Sequence, residues 1–110
     1  MSTRATILIK ESGEDNVHIY HHHDGYPEGV GFDLKRYLNT LTSEWHASQI
    51  ADDLINNNAN LEDDEYELSS CQHGDEAYGY LINCDNKTLK CYKLEWDEFI
   101  WDEKSLVEIP

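Results

Sequence analysis

The stretch His21-His22-His23-Asp24-Gly25-Tyr26-Pro27-Glu28-Gly29-Val30-Gly31 separates two kinds of hydrophobic periodicity in the chain. Apolar residues alternate before it, which indicates a strand, and recur at helical spacing after it. Asp24-Gly25 is a turn signal, and Pro27 fixes its own φ angle and favours an extended residue before it. The stretch therefore predicts a fixed turn between a β-hairpin and a helix.

Two strand patterns lie on the N-terminal side of this turn. Residues 3–10 and 16–22 alternate between two faces, and the segment between them, Glu11-Ser12-Gly13-Glu14-Asp15-Asn16, has turn chemistry. Both faces of residues 3–10 carry apolar side chains, so this strand is expected to be covered on both sides. The two segments predict a β-hairpin.

Two helix patterns follow the turn. Apolar residues between positions 30 and 41 recur at offsets of 4, 3, 1 and 3, as they do on one face of a helix. A second apolar stripe runs from Ala47 to Ile55, with Thr42 or Ser43 as the expected N-cap. The asparagine-rich residues 56–60 are expected to end this helix and to form a linker.

Strand patterns dominate the rest of the chain. Residues 66–70, 77–84 and 88–94 are predicted strands, the last two joined at Asp85-Asn86-Lys87 in a second hairpin, and residues 105–109 add a candidate edge strand. The order ββααβββ predicts a single α+β domain over residues 1–110, with an antiparallel sheet of four to six strands and two helices packed on one face. The opposite face is expected to be partly exposed and rich in tyrosine.

The charge of the chain is strongly acidic and uneven. The formal net charge is −15 over 110 residues; residues 1–55 carry nine acids and four bases, and residues 56–110 carry fourteen acids and four bases. Such a charge argues against direct binding to DNA or RNA. It favours either a basic partner surface and mimicry of a phosphate backbone, or an acidic surface that serves solubility, as in halophilic proteins.

The sequence carries no evident membrane or export signal. No apolar run approaches the roughly 20 residues that span a bilayer. The segment Met1-Ser2-Thr3-Arg4-Ala5 lacks the apolar core, about 7–15 residues long, of a signal peptide. The expected location is therefore cytoplasmic, where the three cysteines favour free thiols over a disulfide framework.

The histidine run is the first candidate metal site. His21, His22, His23 and Asp24 are consecutive, and His18 shares a strand face with His22. Strand alternation splits consecutive histidines between two faces, however. The alternative interpretation is that one histidine packs under the turn while the others are solvated.

A second candidate metal site combines Cys71, His73, Cys84 and Cys91. Structural zinc sites are usually built from tight pairs separated by two to five residues. Here the only tight pair is Cys71 and His73, and the other spacings are wide. We therefore expect no bound metal and no other cofactor.

Catalytic motifs are not evident in the chain. It contains no nucleophile elbow, phosphate loop or HExxH helix, so we expect no catalytic residue. The glycines of the turn do precede a helix, whose N-terminus can hold an anion, but Asp24, Glu28 and Asp33 oppose a phosphate there unless a metal bridges them. A small metal- or nucleotide-dependent enzyme with its site at residues 21–31 is the alternative function.

Acidic residues of the C-terminal half are the candidate partner-binding residues, because spaced carboxylates can imitate phosphates. They are Glu62, Asp63, Asp64, Glu65, Glu67, Asp75, Glu76, Glu95, Asp97, Glu98, Asp102 and Glu103. Trp96, Phe99 and Trp101 interleave with them. These aromatic side chains either anchor a partner or close the core.

Two segments of the chain resemble a group of small uncharacterised proteins of bacteriophages, prophages and plasmids. They are the MSTR-type start and the segment of residues 19–31, of which residues 22–31 match His-x-Asp-Gly-Tyr-Pro-x-Gly-x-Gly. The candidate motif residues are His21, His23, Asp24, Gly25, Tyr26, Pro27, Glu28, Gly29 and Gly31. The resemblance covers roughly the first forty residues and implies a setting in bacterial mobile elements, where small acidic proteins often inhibit host defence, as anti-CRISPR proteins do.

The sequence and this resemblance together lead to one expected function. We expect a small acidic, non-enzymatic binding protein, an anti-defence inhibitor of phage or prophage origin, that docks on a basic nucleic-acid-binding surface of a host protein. A regulatory interaction module without a defence role is a third possibility.

Overall fold

The computed structural model describes residues 3–21, 24–56, 66–69, 77–94 and 106–109. Within them the elements are, in chain order, strands β1 (Ala5–Lys10) and β2 (Val17–His21), a π-helical turn (Pro27–Gly31), helices α1 (Phe32–Leu38) and α2 (Ala47–Ile55), and strands β3 (Tyr66–Ser69), β4 (Tyr78–Asn83), β5 (Thr88–Lys93) and β6 (Leu106–Val107). The strands form one sheet in the order β3-β2-β1-β4-β5-β6. The predicted α+β class, the element order and both hairpins are confirmed.

The sheet is mixed, whereas a purely antiparallel sheet was expected. Strand β1 pairs with β2 in antiparallel fashion but with β4 in parallel, from Ala5 opposite Tyr78 to Lys10 opposite Asn83. A parallel pair needs a crossover of a dozen or more residues. The chain between β1 and β4 supplies one, since it passes through β2, both helices and β3. This pairing places β1 between β2 and β4, in the interior of the sheet.

The core lies between one face of the sheet and the two helices. Ile7 of β1 is flanked by Ile19 of β2 and Tyr80 of β4, and all three are fully buried. They belong to one apolar cluster with side chains of both helices, Leu34, Tyr37, Leu38, Ala47, Ile50, Ala51 and Leu54. Burying one apolar stripe from each helix is the main force that holds the helices on this face.

The opposite face of the sheet was expected to be rich in tyrosine, but it carries two of the described sheet tyrosines, whereas Tyr66, Tyr78 and Tyr80 lie on the helix-facing side. Tyr20, Thr6, Gly79 and Tyr92 lie in one row across β2, β1, β4 and β5. Tyr20 and Tyr92 expose only 5% and 3% of their surface. This face is therefore buried at Tyr20 and Tyr92, whereas Lys10 at the end of β1 and Lys90 within β5 are exposed.

The start of α2 differs from the prediction. The helix begins at Ala47 rather than after Thr42 or Ser43, because its capping group comes from elsewhere in the chain. Glu11, in the β1–β2 turn, accepts a hydrogen bond from the Ala47 N–H at 2.7 Å, and its other carboxylate oxygen lies 3.0 Å from His46 Nδ1. One carboxylate thus joins the first hairpin to the second helix.

Candidate functional site

The turn between β2 and α1 is fixed by hydrogen bonds to the sheet and to itself. The Gly25 N–H donates to the Thr3 carbonyl at 2.9 Å, and the Val30 N–H donates to the Asp24 carbonyl at the same distance. The buried Tyr80 hydroxyl of β4 donates to the Gly25 carbonyl at 2.6 Å. The structure therefore agrees with the predicted fixed turn, and Tyr80 is an anchor that the sequence did not indicate.

The glycines of the turn serve close approach rather than unusual backbone angles. A Cβ atom on Gly25 would lie 2.8 Å from the Ala5 Cβ, and one on Gly29 would overlap the Asp24 carbonyl oxygen. A Cβ atom on Gly31 would lie 3.1 Å from the Tyr80 ring. The left-handed conformation in this turn belongs to Asp24, with a φ of 54°, rather than to one of its glycines.

The histidines that the structure describes do not converge. His21 is fully buried on the helix-facing side of β2, with its ring centroid 4.5 Å from that of Tyr66. His18 is half-buried and, by strand alternation, lies on the other face. His22 and His23 lie outside the described residues. Across the described part of the chain, no three His, Cys, Asp or Glu side chains come together as metal ligands do.

The two cysteines of the described sheet are buried thiols. Cys84 and Cys91 are free, and burial raises the pKa of each to about 11. A thiol must lose its proton to ligate a metal or attack a substrate, so burial makes both groups unreactive. Cys71 and His73, the remaining members of the candidate zinc site, lie outside the described residues.

The start of α1 offers little to an anion. The N–H groups of Gly29 and Val30, which an anion would need, already donate to the carbonyls of Tyr26 and Asp24. Asp24 and Glu28 are exposed beside them and repel a phosphate. The Tyr26 hydroxyl donates to Asp24 at 3.1 Å, and this hydrogen bond raises the pKa of Tyr26.

Buried and exposed residues of the candidate motif therefore have different roles. Gly25, Pro27 and Gly31 are buried and shape the turn, whereas Tyr26 is 39% exposed, between the two exposed acids. The next residue along the chain, Phe32, is 46% exposed, and the Arg36 guanidinium lies 6.0 Å from the centre of its ring. The turn is thus a structural element with a small aromatic and acidic outer surface.

One of the twelve candidate partner-binding acids lies in the part of the chain that the structure describes. Glu67 is exposed on β3, an edge strand, and its neighbour Leu68 is 67% exposed. Helix α2 packs beside β3 and carries the exposed Asp52. The other acids lie outside the described residues, as do Trp96, Phe99 and Trp101; they are Glu62, Asp63, Asp64, Glu65, Asp75, Glu76, Glu95, Asp97, Glu98, Asp102 and Glu103.

The sheet order separates acidic from basic residues. Residues 37–86 contain eleven acids and neither lysine nor arginine, and they include α2 and β3. Lys87, Lys90 and Lys93 belong to β5 or the turn before it. Strands β3 and β5 are four strand spacings apart, or about 19 Å. We call β3 together with the exposed side of α2 the acidic edge; its described members include Asp52, Glu67 and Leu68.

Comparisons with known proteins give no further assignment. No protein-family model, curated protein or solved structure matches the chain. In the described residues, neither helix is long or apolar enough to cross a membrane.

Proposed function

We propose that the protein is a small non-enzymatic binding protein that docks its acidic edge on a basic nucleic-acid-binding surface of a bacterial host protein, as an anti-defence inhibitor of phage or prophage origin. One observation carries the proposal: residues 37–86 hold eleven acids and no lysine or arginine, and the described part of this stretch includes α2 and the edge strand β3 as well as the central strand β4. A field of one sign attracts a partner of the opposite sign and speeds the encounter.

The acidic edge also has an apolar contact group. Leu68 is the most exposed of the large hydrophobic residues in the described chain, at 67%, and it stands next to Glu67. A basic groove that binds nucleic acid contacts phosphates and the flat or apolar parts of the bases. Glu67 and Leu68 are consecutive on β3 and lie on its opposite faces, Glu67 beside Tyr20 and Leu68 beside Ile19. A basic groove that encloses this edge strand would contact both side chains, and burial of Leu68 would add affinity that salt does not screen.

The alternative function, a metal- or nucleotide-dependent enzyme with its site in the turn, has less support. Gly25, Gly29 and Gly31 are used for close packing, and two of the N–H groups at the helix start donate to carbonyls of the turn. His21 is buried among core residues. The groups that an enzyme would use there are the groups that hold the turn in place.

The proposal is tested by capture followed by competition. The immobilised protein is incubated with a bacterial lysate, captured proteins are identified by mass spectrometry, and each is purified. We expect a nucleic-acid-binding protein whose complex is displaced by duplex DNA or structured RNA, since both ligands would occupy one basic surface. A partner that binds this protein and nucleic acid simultaneously would contradict the mimicry.

A matched pair of variants locates the contact. The double variant Glu67→Gln, Leu68→Ser alters the acidic edge, while Glu14→Gln, Asp15→Asn alters two exposed residues of the β1–β2 turn. We expect the first to weaken binding by about tenfold or more, through loss of one apolar anchor and one charge. The second should change it by less than about threefold. Equal effects of both would place the contact elsewhere.

A further inference from the structure

A groove lined by lysines lies near the β5–β6 edge of the sheet, at the other end of the strand order from the acidic edge. It has a volume of about 590 Å³ and is bounded by α1, the segment before α2, β5 and residues 106–109. That volume falls within the range of about 300–1,000 Å³ that is usual for small-molecule sites. Lys35, Lys87 and Lys90 line the groove, which is three of the eight basic residues in a chain of net charge −15.

Two of these ammonium groups make long contacts within the protein. Lys35 Nζ lies 3.4 Å from the Ile109 carbonyl oxygen, and Lys87 Nζ lies 3.5 Å from a Glu44 carboxylate oxygen. Charge-assisted hydrogen bonds are normally about 2.7–2.9 Å long. Both lysines are therefore held near the groove while their ammonium groups keep unused hydrogen-bonding capacity. Each can donate a hydrogen bond to an incoming anion.

The acids near the groove are fewer than its bases. Glu108 is the one carboxylate among the residues that line it. Glu44, the partner of Lys87, has a side chain that is 78% exposed, so solvent screens it strongly.

The rest of the groove is apolar and contains an aromatic side chain. Trp45 is half-buried and lines the groove together with Leu38, Leu89 and Val107, all of which pack on the core. An indole is a surface on which a flat ring can stack. Asn39 also lines the groove and adds an amide that can bond to the edge of a base.

We propose that this groove binds a small aromatic phosphate of the nucleoside monophosphate class, with the phosphate on Lys35 and Lys87 and the base against Trp45. Two ammonium groups that line one groove suit a dianionic phosphate better than a single carboxylate. A volume of about 590 Å³ can hold one nucleotide. The site is distinct from the acidic edge, and the proposal of this site does not depend on the proposed function.

The test uses three probes that separate the two halves of the ligand. AMP, adenosine and inorganic phosphate are titrated separately into ¹⁵N-labelled protein at pH 7.5 in EDTA, where phosphates are largely dianionic. We expect saturable AMP shifts centred on the Trp45 indole and the Leu89 amide, with at least tenfold weaker binding of adenosine and of phosphate. No saturation by AMP at millimolar concentration, or equal binding of phosphate alone, would overturn the proposal.

Charge-removal variants provide the second measurement. Lys35→Gln with Lys87→Gln should weaken AMP binding by about tenfold or more, because each removes a charged hydrogen-bond donor. Lys10→Gln, at an exposed lysine at the end of β1 outside the groove, should leave AMP affinity within about twofold. Melting curves establish that each variant folds. An unchanged AMP affinity in the folded double variant would rule out the site.

Discussion

At the residue scale, the turn at residues 24–31 shows what a local pattern can and cannot predict. Gly and Pro between two opposite periodicities correctly indicated a fixed turn. The reason that glycine is needed at position 25 was not predictable, because the atom it must accommodate belongs to Ala5, which only the fold brings near. Likewise, the Tyr80 hydroxyl reaches Gly25 from 55 residues away.

The packing of Gly25 can be tested by adding side-chain atoms to it. Gly25→Val should lower the free energy of unfolding by about 1–3 kcal/mol, as overpacking does, because a Cβ atom there would lie 2.8 Å from the Ala5 Cβ and 3.0 Å from its backbone nitrogen. Gly13→Asn is the matched control: its φ is +85°, which asparagine tolerates, and no atom lies within 4 Å of an added Cβ. Urea unfolding measures the free energy of unfolding of both variants. An unchanged urea midpoint for Gly25→Val would contradict the prediction, because it would mean that β1 shifts at this contact without a cost in stability.

The buried thiols lead to a prediction about metal. Zinc binding requires thiolates, and the pKa of both Cys84 and Cys91 is raised to about 11 by burial. We therefore expect elemental analysis of the purified protein to find no stoichiometric zinc. In a Cys71→Ser background, Ellman's reagent at pH 8 should modify the two remaining thiols much more slowly in the native than in the urea-unfolded protein. If elemental analysis finds about one zinc per chain, and the zinc is lost in the Cys84→Ala variant, the prediction of no bound zinc is wrong.

At the element scale, strands and helices were predictable where their signal is local. The two hairpins and the apolar stripes of both helices lie close to the expected residues because alternation and helical spacing are read within one segment. Two features were not local. The parallel pairing of β1 with β4 depends on how the chain returns to the sheet, and the start of α2 depends on Glu11, 36 residues before Ala47.

The cap on α2 should make stability depend on pH in a specific way. Hydrogen bonds from Ala47, then His46, lower the pKa of Glu11 below its ordinary value of 4.5. A group with a lowered folded-state pKa stabilises the fold above its unfolded pKa, and this stabilisation is lost as the pH falls through the folded-state value. Glu11→Gln should therefore melt at a lower temperature than wild type at pH 7, and the difference should shrink below about pH 4.5.

The control for the cap is Glu14→Gln, which removes one exposed carboxylate from the same turn. It lowers the net negative charge by the same amount as Glu11→Gln but does not touch α2. Its melting temperature should stay close to that of wild type across the same pH range. A pH-dependent loss of equal size in both variants would show that the overall charge of the turn matters, rather than the hydrogen bonds at Ala47.

At the scale of the whole molecule, the sequence indicated an acidic protein but not the arrangement of its charges. The sheet order places β3 and β5 about 19 Å apart, roughly two screening lengths at physiological salt. Residue 35 is distant in sequence from residues 87 and 90, so the groove that they line exists only in the fold. An acidic edge and a basic groove can therefore act on different ligands with little mutual interference.

The net charge of −15 should make the stability of the protein rise with salt. Like charges repel one another more in the compact than in the unfolded chain. The screening length falls from about 30 Å at 0.01 M salt to about 8 Å at 0.15 M. The melting temperature should therefore increase over this interval. The variant Glu62→Gln, Asp63→Asn, Asp64→Asn, Glu65→Gln, which removes four of the 23 acids, should be more stable than wild type at low salt and depend less on salt.

The same four-residue variant separates stability from binding. If carboxylates of this run steer a basic partner, the variant should associate more slowly and with a flatter salt dependence, while dissociation changes little, because long-range attraction acts mainly on the association rate. Stopped-flow association at 0.05 M and 0.15 M salt measures both effects. A variant that is more stable yet associates at the wild-type rate would mean that the run contributes only to net charge. Recognition would then rest on the described part of the acidic edge, at Glu67 and Leu68.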